Sequence, residues 1–281
     1  MAITTFIPEL WSARLLYNLE NSHVATQLVN RDYEGIIRNQ GDTVHINSIG
    51  EITVSDYTKN TDLADPEVLA TTDQTLVIDQ AKAFNFQVSD IDKAQAAGDI
   101  VNTAMQRAAY KLADAADAYL LKTIANGASS ANAVGGTAGV TLTAENVYEN
   151  MVKLRTALDK ANVPTAGRSV VVPPDVYALL LLDDRFVKAS DAGTSNSVLL
   201  NGEVGKVAGM SVFMSNNVTK KSSQWIVTAQ VPYATTYAEQ IISTEAYRME
   251  KRFADGIKGL HVYGAKVTDS TAIASMLCTV G

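Results

Sequence analysis

The sequence predicts an α+β fold, and three observations carry that prediction. Short stretches alternate with period two at residues 43–49 and 84–88, one Ala-rich stretch keeps a helical apolar stripe over residues 90–125, and the last third reads as long strands. A chain of 281 residues is long enough for one or two domains with a substantial core.

From the N-terminus, Leu10, Ala13, Leu16 or Tyr17 and Val24 recur at helical spacing after Pro8, and the pattern then dissolves up to Gly41. Residues 1–42 are therefore read as an arm carrying one helix. Thr43-Val44-His45-Ile46-Asn47-Ser48-Ile49 alternates as a half-buried strand does. In residues 50–81, Ile52-Thr53-Val54 and Thr75-Leu76-Val77-Ile78 read as two arms of a hairpin. Tyr57, Leu63, Val68 and Leu69 between them are too few to close a local core. Seven carboxylates (Glu51, Asp56, Asp62, Asp65, Glu67, Asp73, Asp79) face Lys59 alone, a local balance of −6. A long segment of this kind in a compact chain is functional, disordered or docked on a partner.

After the strand at 84–88, Val101, Met105, Ala108, Leu112, Ala116, Tyr119 or Leu120 and Ile124 form one stripe without a proline, with Gly98 as a break between a short and a long helix. Gly127, Gly135, Gly136 and Gly139 then read as a flexible crossing between domains. A second helix follows from Thr143, with Val147, Met151, Leu154 and Leu158 on its face, and stops before Pro164. Ser169-Val170-Val171-Val172 is a buried strand, and Pro173-Pro174-Asp175 opens a helix through Leu182, proline being tolerated in a first turn. Residues 191–197 are a polar loop; 207–214 and 225–228 are strands. Residues 241–252 and 260–267 are long strands joined around Asp255-Gly256, and 273–277 is a last strand.

Composition excludes several functions. The net charge is −7 and charged residues are 19% of the chain, against roughly 25% for a soluble domain. That excludes a basic nucleic-acid binder and leaves surface that faces protein as the expectation. The opening residues lack the features of a secretory signal, and the apolar run 176–182 is too short for a membrane span. Cys278, the single cysteine, is expected to be buried and inert. His23, His45 and His261 lack the spacing of a metal site and are expected to be structural. Asp183-Asp184 are adjacent, so their carboxylates point apart, and Asp114 with Asp117 are read as solvated carboxylates on the Ala-rich helix; neither is read as an acid–base pair. The glycine runs at 135–139 and 202–209 match neither phosphate-binding loops nor the dinucleotide fingerprint. No catalytic residue, cofactor or metal is expected.

The run Leu200-Asn201-Gly202-Glu203-Val204-Gly205-Lys206-Val207-Ala208-Gly209-Met210-Ser211-Val212-Phe213-Met214-Ser215-Asn216-Asn217-Val218 closely resembles a signature of tailed-bacteriophage major capsid proteins. The order of elements around it is similar too, so the chain resembles a Hong Kong 97-like coat protein over nearly its whole length. The resemblance implies an N-arm at 1–42 and, within 43–88, a strand and an extended E-loop hairpin. It implies a spine helix at 89–125 in a peripheral domain and a mixed α/β axial domain at 126–235. Returning strands of the peripheral domain would fill 236–281, with a three-fold loop at about 250–259.

The implied function is self-assembly into pentamers and hexamers of an icosahedral head enclosing double-stranded DNA. The main partner is the chain itself. Scaffolding, portal and decoration proteins are further partners the resemblance allows, DNA contact is non-specific, and no membrane is involved. An encapsulin-type nanocompartment shell is the alternative reading, an α/β enzyme the remote one. The expected inter-subunit contacts set Asp56, Lys59, Asp62, Asp65 and Glu67 of the hairpin against Arg248, Lys251, Arg252 and Lys258, or against Arg107, Lys111 and Lys122 on the helix. Residues 246–266 carry a balance of +3, which is the charge separation behind that pairing. Some relatives join subunits covalently through a Lys and an Asn; residues 248–259 contain no Asn, so a non-covalent shell is expected.

Overall fold

A computed structural model describes residues 24–33, 41–49, 71–89, 100–136, 138–183 and 205–281, together with positions 52, 54, 56, 59, 62, 65 and 68. The predicted arm helix, the break at Gly98, the loop at 191–197 and the start of the 200–218 motif lie outside these residues. The described chain is α+β, built on three sheets. β1 (Thr43–Ile49) pairs antiparallel with β2 (Thr71–Val77), from Thr43 opposite Val77 to Ile49 opposite Thr71. β3 (Gln80–Ser89), β11 (Thr235–Arg248) and β12 (Ala254–Val267) form a second sheet in the order β11-β12-β3.

An eight-stranded sheet holds the rest: β4 (Ala133–Val134), β13 (Ile273–Val280), β10 (Gln224–Gln230), β6 (Ser169–Val172), β8 (Met210–Met214) and β7 (Lys206–Val207) in that order. β5 (Val140–Leu142) is added on β13 and β9 (Lys220–Lys221) on β10. The helices are α1 (Ile100–Gly127), α2 (Val147–Lys160) and α3 (Pro174–Leu182).

α1 forms because no Gly or Pro interrupts it before Gly127, and its apolar residues recur at helical spacing. Its 28 residues give a length of about 42 Å at roughly 1.5 Å per residue. The N-terminal half buries Met105, Ala109, Leu112 and Ala113 with Ile257 of β12, against the partly buried Phe84 and Phe86 of β3. The C-terminal half buries Ala116, Leu120, Leu121 and Ile124 in the main core, shared with α2, α3 and the large sheet. Each fully buried aliphatic side chain contributes about 1.5–3 kcal/mol, so both halves are firmly seated. A third, smaller core joins Val44, Ile46, Leu76 and Ile78 to Ala238 and Val262, and fastens the β1–β2 ribbon to the three-stranded sheet.

Several sequence expectations change. The outgoing arm of the hairpin is β1 itself and not Ile52-Thr53-Val54, since β1 already pairs with β2 over its whole length. The glycine-rich stretch after α1 is no simple crossing: it contributes β4 and β5, both parallel to β13. The strand expected over 207–214 is a hairpin, β7 and β8 turning at Ala208-Gly209 with φ of 48° and 79°, the two left-handed positions of a type I′ turn. Asp255-Gly256 lies inside β12, and the turn is at 249–253. Gly256 is there because the Tyr247 ring of the opposite strand covers it, leaving 2.5 Å between Tyr247 Cζ and any added Cβ. Finally, β13 pairs with β10 in the large sheet, not with the returning strands among which 236–281 were grouped. Its first residue Ile273 and the alternating Ala274, Met276 and Cys278 complete the main core.

Gly264 marks the place where the ribbon crosses β12. A Cβ there would stand 2.3 Å from the Val77 carbonyl oxygen and 3.0 Å from Ile78 Cα. Gly264→Ala is therefore expected to unseat the ribbon and lower subunit stability by about 1–3 kcal/mol, as overpacking does; urea unfolding of the unassembled subunit measures it.

Candidate assembly interface

The acidic segment is presented outward. Asp56, Lys59, Asp62 and Asp65 are exposed, as are Ile52, Val54 and Val68, with Val54 and Val68 at 93% and 91%; Glu67 lies outside the described residues. The base of the same segment is fixed. Gly41 N–H donates to the Ile78 carbonyl at 2.9 Å, Ile78 N–H to the Asp42 carbonyl at 3.1 Å, and Gln74 Nε2 to the Thr268 carbonyl at 3.0 Å. At the ribbon's surface His45 Nδ1 lies 2.8 Å from Asp73 Oδ2, an exposed pair of at most about 1 kcal/mol.

The β11–β12 turn gathers the expected basic residues but does not leave all of them available. Arg248 pairs with Asp255 at 3.0 Å, directly across the strands, and Lys258 with Glu245 at 2.9 Å. The hydrogen bond to Glu245 also raises the Lys258 pKa. Lys251 and Arg252, at the turn itself, are exposed and have no ion pair among the described residues. Phe253 beside them is 82% exposed. On the helix, Arg107, Lys111 and Lys122 are exposed. Arg107 and Lys111 line an open groove with Thr103, Gln106 and Tyr110, and Lys111 Nζ is only loosely placed, 3.9 Å from Asp114 Oδ2.

Behind these surfaces the two sheets meet over α1, and there the expectation of solvated carboxylates fails for Asp117. It is buried at 4% exposure. Its Oδ1 accepts the Ala25 N–H at 2.8 Å, and its Oδ2 accepts from Ser215 Oγ at 2.9 Å and Asn217 Nδ2 at 3.3 Å. Asp114 Oδ1, one turn earlier, accepts from the same Asn217 amide at 2.8 Å. Nothing local in the sequence signals this, because the donors lie about a hundred residues away on either side.

A second buried acid was also invisible in the sequence. Glu239 of β11 accepts from Arg31 Nη2 at 3.0 Å, from Tyr237 Oη at 2.8 Å and from His261 Nε2 at 3.1 Å. His261 is fully buried, as a structural histidine should be. Tyr119 of α1 donates to Asp79 Oδ1 at 2.8 Å. Burial, with that bond and the nearby charge added, pushes its phenol up to about 12. Burial, then Asp79, does the same to Tyr263, also to about 12.

Cys278 is buried and its thiol is pushed up to about 11 by burial. No cluster of three or more metal-ligating side chains occurs among the described residues, and no described helix is long and apolar enough to cross a membrane.

This fold and these outward-facing surfaces define a structural subunit of a protein shell. A family model described as phage capsid protein matches residues 72–276. A solved structure from Mycobacterium phage Che8 superposes with a TM-score of 0.75 at 30% identity, covering 90% of both chains. The capsid of the cyanophage P-SCSP1u gives 0.70 at 16% identity, covering 93% of this chain and 88% of that one. A virus-like particle from Pyrococcus furiosus gives 0.58 at 13%, covering 97% and 100%; these last two likenesses concern the fold. No curated protein matches in sequence. The chain belongs to the phage capsid protein family, as a Hong Kong 97-like major capsid protein. It is a structural protein and not an enzyme.

Asp117→Ala leaves the Ala25 N–H and the Ser215 hydroxyl without their acceptor, while Asn217 keeps Asp114, at about 1–3 kcal/mol for a buried orphan. A total loss of about 3 kcal/mol is expected in urea unfolding, with the segment around Ala25 becoming sensitive to limited proteolysis.

Proposed function

We propose that this chain builds the icosahedral head of a tailed phage by assembling into pentamers and hexamers around double-stranded DNA. The observation that carries this reading is the likeness to the Che8 structure over 90% of both chains at 30% identity. In this reading residues 1–42 are the N-arm, the 43–88 segment holds the E-loop, and α1 is the spine helix. The large sheet is the axial unit and β11, β12 and β3 are the peripheral sheet, with the 249–253 turn in the three-fold loop. β13 is counted with the axial unit because of its pairing.

Shell subunits bury many modest interfaces, and complementary charge there sets register more than affinity. The acidic segment of one copy, with Asp56, Asp62, Asp65 and Glu67, docks on basic groups of another. Lys251 and Arg252 are the better recipients, since Arg248 and Lys258 are already neutralised within their own hairpin. Phe253 beside them adds apolar area to the same contact, and the groove at Arg107, Tyr110 and Lys111 offers a second seat. Scaffolding, portal and decoration proteins are further partners this reading allows, and assembly takes place in the host cytoplasm. With no basic patch interleaved with aromatics, contact with packaged DNA is non-specific.

Purified wild-type protein is expected to give closed particles in electron micrographs. Arg252→Glu should abolish or deform them while circular dichroism and the unfolding midpoint stay as in the wild type; normal particles from this variant would refute the charge contact.

Lys59 has no asparagine to meet in the 248–259 loop, so the shell is held non-covalently. Mature particles boiled in detergent should run as one band near 30.1 kDa, and a ladder of multimers would overturn that.

A further inference from the structure

The segment ahead of the ribbon touches everything that meets at the junction. Val24 to Arg31 runs as a 3-10 turn (Ala25–Leu28) and then a single bridge. Its first contact is with the helix, Ala25 N–H to Asp117 at 2.8 Å. Its second is with the end of β10 in the large sheet, where Gln230 Nε2 donates to the Leu28 carbonyl at 3.1 Å. Its third is with the start of β11 in the three-stranded sheet. There Asn30 N–H donates to the Thr235 carbonyl, and Tyr237 N–H returns a bond to the Asn30 carbonyl, both at 2.9 Å. The fourth is the Arg31 guanidinium on Glu239. Between the second and third contacts lies the short connector from β10 to β11, whose only regular element is the 3-10 turn Pro232–Ala234.

We propose that residues 24–31 are a strap that fixes the angle between the large sheet and the three-stranded sheet, with Arg31 as the positioning residue that keeps it closed. α1 joins the two units, as do the connectors 231–234 and 268–272, which are bonded to each other where the Thr268 and Asp269 N–H groups donate to the Ala234 carbonyl at 2.9 and 3.2 Å. The helix and this paired link leave a rocking motion about the line through them, and the strap adds a further attachment, bonded on both sides of the 231–234 connector.

Its apolar residues Ala25, Leu28 and Val29 are buried in the main core, so it is seated by packing as well as by hydrogen bonds. Its outer end depends on Arg31. Glu239 sits at 3% side-chain exposure, bonded to the Tyr237 hydroxyl and the His261 ring, and the Arg31 guanidinium brings a positive charge to it at 3.0 Å. His261 Nδ1 has no hydrogen-bond partner among the described residues. Replacing Arg31 by an acid removes that charge and sets a second carboxylate against a buried one, a state proteins relieve by opening. A strap that opens frees the arm and the angle together, which would let capture of the arm by a neighbouring copy be felt at the sheets.

Arg31→Glu tests this in the full-length unassembled subunit, alongside the charge-swapped Arg31→Glu/Glu239→Arg chain. Two measurements are made. One is amide hydrogen exchange at Ala25, Asn30 and Tyr237; the other is the distance distribution between spin labels at Lys82→Cys and Ser223→Cys, both exposed sites on the two different sheets. The buried Cys278 stays unlabelled. In Arg31→Glu, exchange at all three amides should rise together by about tenfold or more, the inter-label distribution should broaden, and the double variant should restore both.

Faster exchange with an unchanged distribution would show a local contact and overturn the strap. Failure of the double variant to restore either readout would overturn the role of Arg31. Should Arg31→Glu not fold, Gln230→Leu cuts the Leu28 tether without altering charge, and the same two readouts decide.

Discussion

One helix has to close two cores along a single axis, and the rest of the molecule is arranged around that constraint. The N-terminal half of α1 seals the three-stranded sheet with Met105, Ala109, Leu112 and Ala113; the C-terminal half seals the large sheet with Ala116, Leu120, Leu121 and Ile124. The changeover occurs within one turn, and a polar node stands there. Asp114 and Asp117 hold Asn217 and Ser215 of the large-sheet unit, and Asp117 holds the arm at Ala25. A helix that stays unbroken through this point transmits the placement of one sheet to the other, which explains the absence of Gly and Pro before residue 127 better than helix propensity alone.

Three of the buried charges among the described residues act as fasteners. Asp117 ties arm to helix to the turn after β8. Glu239 ties arm to β11 and β12. Arg168, at 3% exposure, donates to Asp159 Oδ1 at 2.6 Å and to the carbonyls of Val163 and Pro164, closing the corner between α2 and β6. A buried ion that has exchanged water for several specific partners is costly to disturb and adds geometric definition where packing alone would allow sliding. None of these groups has an acid–base partner facing a cavity, so their burial serves architecture and not proton transfer.

How much of this was legible in the sequence depended on range. The strand at 43–49, the buried strand at 169–172 and the proline-opened helix 174–182 appear at the predicted residues, because each is dictated by periodicity or by a local rule of proline and capping. The stripe of α1 was legible too, with Ala109 taking the buried place expected of Ala108, a shift of one position on a crowded face. The errors were made where a local signal was overridden from afar. Asp255-Gly256 looks like a turn until Tyr247 is laid across it. Ala208-Gly209 is a turn hidden inside an apolar run, since alanine at positive φ is rare. Asp117 looks solvated because its donors are Ala25, Ser215 and Asn217, and Glu239 gives no hint of Arg31 or His261. For the assembly surface, the charge segregation was readable but its internal neutralisation was not: whether Arg248 and Lys258 face outward or inward follows from strand register, which places Asp255 and Glu245 opposite them.

That neutralisation bears on the low charge content of the chain. Surface that will be buried against copies of itself should carry few charges needing desolvation, and those it keeps should be either paired already or matched by a neighbour. The turn end of the β11–β12 hairpin follows this rule. Arg248 and Lys258 are paired across the ladder with Asp255 and Glu245, and Lys251 and Arg252, without an ion pair among the described residues, stand at the turn next to an exposed Phe253. The acidic segment inverts the pattern, with carboxylates and open valines carried on a ribbon whose base is firmly anchored. In the proposed docking of the acidic segment on Lys251 and Arg252 of another copy, a surplus of one sign on an anchored projection meets a surplus of the other on a tight turn. Repetition satisfies both, which gives the charge pattern of this chain a physical reason in a shell.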